Sequence, residues 1–125
     1  MSEIQIGKIR SFSDMEAWQE AHKLVLLLFQ ATKNFPPNET HGLTSHIKRA
    51  ALSITSNITE GFGRGAFKEK FQFYSFALKG VREIQNYIMV AHDLGYLADD
   101  AFDKIAIQTA VVNKLCSELV KSGKK

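Results

Sequence analysis

Between His41 and Gly65 the apolar residues fall at steps of three and four: Leu43, Ile47, Ala50, Ala51, Ile54, Ile58, Gly61 and Phe62. That period is one buried face of an α-helix, and a strand would need a period of two. The opposite face carries His46, Lys48, Arg49, Ser53, Ser56, Asn57 and Glu60, followed by Arg64. A polar stripe so rich in small residues suits packing on both sides, against the helix's own bundle and against a partner.

The rest of the chain repeats the pattern. Ser13-Asp14-Met15-Glu16 reads as a capping box that opens a first helix running to about Asn34. Its inward residues are Trp18, Ala21, Val25, Leu28, Phe29 and Thr32, while Leu24, Leu26 and Leu27 make its middle apolar almost all round. One copy of a small chain leaves part of such a helix in water, so burial between subunits is expected. Pro36 and Pro37 stop the helix. The central helix comes next, with Gly61, Gly63 and Gly65 marking its end. A third helix, from about Phe67 to Leu94, buries Phe71, Tyr74, Ala77, Leu78, Val81, Ile84, Ile88 and Ala91 and ends at Gly95. Phe73, Phe76 and Tyr87 add a second aromatic edge to it. Asp99 or Asp100 caps a fourth, with Phe102, Ile105, Ala106, Thr109, Val112, Cys116 and Leu119 inward and a frayed basic end from Ser122.

Four amphipathic segments with short connections predict an all-α fold: an up-down-up-down antiparallel four-helix bundle over residues 13–121. Residues 1–12 are expected to be a flexible tail, with Ile4 and Ile6 leaving a short strand as the alternative. The longest apolar run, Leu24 to Phe29, falls far short of the ~18 residues that a membrane span requires. No apolar segment of signal-peptide length opens the chain, and its lone cysteine excludes an intrachain disulfide framework. A cytoplasmic protein without cofactor is the expectation.

Charge is unevenly placed. Residues 41–82 hold seven Lys and Arg against two acids, a net +5, whereas the remainder is −2, for +3 overall. The cations Lys48, Arg49, Arg64, Lys68, Lys70, Lys79 and Arg82 are therefore the candidate phosphate contacts, with backbone N–H groups near Gly63, Gly65 and the third helix's start as helpers. Phe67, Phe71 and Phe73 have core spacing, so a base-stacking platform is not expected. The stripe Arg49, Ser53, Asn57 and Glu60, with Glu83, reads as a buried polar network in which Arg49 neutralises Glu60 or Glu83; a catalytic pocket with Glu60 as base is the alternative. No Glu-x-x-His pair and no helical His pairing points to a metal.

The order of these features resembles one family. Phe12-Ser13-Asp14-Met15 with Ala17-Trp18-Gln19, Phe35-Pro36, Gly42-Leu43-Thr44-Ser45, Arg49-Ala50-Ala51 with Ser53-Ile54, and Ser56-Asn57-Ile58 with Glu60-Gly61 carry the likeness. They resemble the four-helix bundle proteins first noticed in intervening sequences of 23S ribosomal RNA genes, relatives of the accessory variability determinant of diversity-generating retroelements. The resemblance implies a homopentamer with a basic surface that meets nucleic acid and no catalytic activity. Thr55, Thr59 and His46 depart from the family's usual proline, alanine and glutamine, and Lys79-Gly80-Val81 replaces a glycine-serine pairing. A scaffold that binds another protein is the competing reading.

Overall fold

A computed structural model describes residues 10–123, and the strand-or-tail alternative at Ile4 and Ile6 lies outside them. Four helices account for nearly all of the described chain: α1 (Glu16–Thr32), α2 (Leu43–Gly63), α3 (Phe67–Asp93) and α4 (Asp99–Gly123). Each packs on its neighbours in sequence, and α1 packs on α4 to close the ring. Short connections force consecutive helices to run antiparallel, which gives the up-down-up-down bundle.

The core is built from the predicted stripes. Ile47, Ala51, Ile54 and Ile58 of α2 are fully buried, as are Ala77, Val81 and Ile84 of α3 and Val112 and Cys116 of α4. Burying each isoleucine side chain contributes roughly 2–3 kcal/mol. From α1, Ala21, Leu24 and Leu28 join them. Leu26 of the same helix is 57% exposed, because the bundle covers only one side of α1.

Helices α2 and α3 approach closely where a glycine permits it. A Cβ on Gly80 would stand 2.6 Å from the Ser53 hydroxyl oxygen and 3.0 Å from Ile54 Cγ1. A side chain on Gly61 would collide with the Tyr74 ring. These two contacts set the spacing of the face on which the polar groups gather.

The ends differ from expectation in ways that have physical causes. Asp14, not Glu16, closes the N-terminal turn: its carboxylate accepts from the backbone N–H groups of Arg10 (3.0 Å) and Ser11 (3.1 Å). Packing thus begins before residue 13, with a 3-10 turn at Phe12–Asp14 and the Phe12 ring edge-on to Trp18. Helix α3 ends as predicted, on Gly95 at φ 80°. There Tyr96 N–H donates to the Ala91 carbonyl and Gly95 N–H to that of His92, the paired bonds of a Schellman turn. Neither Gly63 nor Gly65 adopts positive φ, so α2 closes by other means. Asp99 lies inside the first turn of α4 and bonds His92 Nε2 at 2.7 Å. Helix α4 runs through Gly123, and the rest of the expected frayed end, Lys124 and Lys125, lies outside the described residues.

Candidate nucleic-acid interface

Helix α3 turns one polar face outward. Lys68, Gln72, Lys79, Arg82 and Asn86 follow one another at helical spacing on it, exposed, with Ser75 half-buried among them. At 1.5 Å per residue, Lys68 and Arg82 are about 21 Å apart along the axis. Along this face, beyond Lys68, runs a shallow groove of about 570 Å³ lined by Ser75, Lys79, Arg82 and Asn86, with Phe71, Leu78, Tyr87 and Val120 as its largely apolar wall. Lys68, Lys79 and Arg82 form no ion pair among the described residues, although Glu83 borders the groove.

The seven candidate cations do not form one patch. Lys70 turns inward: its ammonium donates to the carbonyls of Gly61 (2.9 Å) and Phe62 (3.0 Å), closing α2 where no glycine cap forms. Arg64 pairs with Glu60 at 2.9 Å and lies 4.7 Å over the Phe73 ring. Lys48 sits on the α1 side of α2, 5.1 Å above the Phe29 ring. Arg49 borders a separate recess with His46, Ser53, Glu83 and Tyr87. Charge left unpaired toward the α3 face therefore comes from Arg49, Lys68, Lys79 and Arg82.

The polar stripe is not the buried network that the spacing implied. Among the described residues no ion pair joins Arg49 to Glu60 or Glu83; Glu60 pairs instead with Arg64, four residues on and about one turn away. Arg49 and Glu60 are exposed. Ser53 donates to the Ala50 carbonyl at 2.6 Å and Asn57 to the Ser53 carbonyl at 2.8 Å, so each satisfies its own helix and ties α2 to nothing else. The helix backbone offers these short side chains nearer acceptors than α3 does.

The aromatic residues also depart from expectation. Phe67 is 57% exposed, and Phe71 and Phe73 are only half-buried; α3 begins before the bundle can cover its first turns. Phe76 is 45% exposed and meets Phe73 edge-on at 6.2 Å. Beside it lies a polar recess that the spacing did not reveal. The available signal was Gly80, since a glycine within a helix marks a close approach.

The remaining reactive groups are occupied or shielded. His22 stacks on Trp18, and His92 stacks on Phe102 while bonding Asp99. Burial pushes the Cys116 thiol up to about 12, so it carries no thiolate at neutral pH. No group of three His, Cys, Asp or Glu side chains among the described residues is placed to hold a metal ion. Among the described residues no helix is long and apolar enough to cross a membrane.

Residues 13–118 match the family model described as 23S rRNA-intervening sequence protein. No curated protein matches the chain.

Proposed function

The chain belongs to the 23S rRNA-intervening sequence protein family, and on that footing we propose a non-enzymatic, homo-oligomeric bundle that binds nucleic acid through the outer face of α3. One observation carries the reading: Lys68, Lys79 and Arg82 share an exposed helix face and have no ion-pair partner among the described residues. Unpaired cations on a rigid helix give up little when they meet phosphates, and release of condensed counterions drives the association. Contacts of this kind read the backbone, so binding is largely independent of sequence.

The assembly is a cytoplasmic homopentamer, the state that the family resemblance implies. Its support is apolar surface on the α1–α4 side, where Leu26 is 57% exposed, Ile107 68% and Val111 37%. Contact through that side leaves the α2–α3 side open and repeats its cations once per subunit.

The test is affinity for a structured RNA across a salt series. A logarithmic decline is expected, with a slope of roughly −0.7 to −0.9 per phosphate neutralised. Reversing Lys68, Lys79 and Arg82 together to Glu should abolish binding. Lys70 is left intact because it closes α2. Affinity that stays flat with salt, or that survives the reversal, refutes the proposal.

The competing scaffold reading draws on Met89, Val90 and Leu94, all exposed toward the end of α3. A protein held there remains bound after the charge reversal.

A further inference from the structure

Phe76 stands at the rim of a recess of about 230 Å³, lined also by Ser53, Asn57, Lys79, Gly80 and Glu83. Gly80 brings α2 and α3 together at its floor, and the Ser53 hydroxyl there folds back on the Ala50 carbonyl at 2.6 Å. The Phe76 ring is braced from behind: Phe73 meets it edge-on at 6.2 Å, and the Arg64 guanidinium lies 4.7 Å over Phe73 while held by Glu60. An exposed aromatic ring is thus fixed beside a polar notch.

The chemistry of the lining narrows the occupant. Asn57 spends an amide hydrogen on the Ser53 carbonyl and keeps its amide oxygen as an acceptor. Glu83 and Lys79 form no ion pair among the described residues, so the notch presents a carboxylate and an ammonium as well. An apolar ligand would strip water from these groups and return nothing. A bare phosphate would face the Glu83 carboxylate and leave the ring unused. A flat heterocycle with N–H donors on its edge satisfies both features: its face stacks on Phe76 and its donors meet Asn57 and Glu83. At about 230 Å³ the notch has room for one such ring.

We propose that the Phe76–Asn57–Glu83 notch takes one unpaired nucleobase, with Lys79 and Arg82 on the flanking phosphates. The inference rests on the nucleic-acid reading above and deepens it. Bases within a duplex already stack on each other and use their pairing edges on each other, so the notch selects single strands, loops and bulges. Stacking on an aromatic ring tolerates any base, which keeps the binding broad in sequence.

The experiment compares three fluorescent ligands of equal length: a single strand with bases, an abasic strand of the same backbone, and a duplex. Each is titrated by anisotropy against wild type, Phe76→Leu and Phe76→Tyr, with circular dichroism melting to confirm that each variant folds. Wild type should favour the base-bearing strand over the abasic one by roughly 5- to 100-fold. Phe76→Leu should erase that preference and leave abasic and duplex binding unchanged, and Phe76→Tyr should retain it. Equal affinity for base-bearing and abasic strands, or a Phe76→Leu loss shared by all three ligands, overturns the notch while leaving the cationic face standing. Failure of all three ligands to bind at low salt overturns both.

Discussion

The Lys70 ammonium lies 2.9 Å from the Gly61 carbonyl oxygen, closing α2 from the first turn of α3. A second bond, to the Phe62 carbonyl, and the Phe62 ring 5.9 Å away complete the contact. A cation counted toward a phosphate-binding surface is thereby a helix cap. Lys70→Met should cost about 1–2 kcal/mol, since charged hydrogen bonds to terminal carbonyls are lost at a half-exposed site. Urea and thermal unfolding measure that cost. Nucleic-acid affinity should hardly change, and a loss as large as that of Lys79→Gln would place Lys70 on the binding face after all.

Gly80 sets the separation of α2 and α3. Its missing side chain leaves Ser53 Oγ, Ile54 Cγ1 and the Ala50 carbonyl at 2.6, 3.0 and 3.2 Å from where a Cβ would sit. Gly80→Ala should destabilise the bundle by about 1–3 kcal/mol through overpacking, despite alanine's better helix propensity. Adding Ser53→Ala removes the nearest of those atoms and should recover part of the loss. Strict additivity of the two changes in denaturant melts would show that the contact does not couple them.

Glu39 and Tyr96 give the fold an acid-sensitive clasp. The Leu43 backbone N–H (3.0 Å) and then the Tyr96 hydroxyl (2.9 Å) hold the Glu39 carboxyl below its ordinary value of 4.5. The same carboxylate raises Tyr96 above its ordinary 10. The lowered acid contributes stability that is present above 4.5 and is lost as pH falls through the folded-state value. Tyr96 contributes stability present below 10 and lost as pH rises through its raised value. Glu39→Gln should flatten the acid limb of a melting-temperature profile, and Tyr96→Phe the alkaline limb. An unchanged profile in both variants would refute the clasp.

Leu26 and Ile107 leave apolar surface in water on the α1–α4 side. Replacing both with Lys should reduce the mass measured by light scattering to that of a monomer without loss of helicity. A wild-type protein that already scatters as a monomer would remove the oligomer from the proposal.

Much of this was legible in residue spacing. The steps of three and four through Ile47, Ile54 and Ile58, the Pro36-Pro37 stop and the Gly95 turn are local facts, because a helix face and a backbone conformation depend on neighbours within a few positions. The side-chain pairings were not. Glu60 found Arg64, just past the end of α2, where Arg49 within the same helix was expected. Phe67 stayed in water although its spacing matched the core, since spacing says which residues share a face and not how far the bundle reaches along it.

By itself, then, the order of residues settles four helices, their buried stripes and where most of them end. Only the packed structure decides which cations are spent and which stay unpaired. Lys70 and Lys79 are alike in type and nine positions apart on one helix, yet the first meets the carbonyl end of α2 and the second faces solvent. Nine positions at 3.6 residues per turn set the two on opposite faces of α3, and only the packing of α2 against α3 decides that the carbonyl end of α2 lies against the Lys70 face.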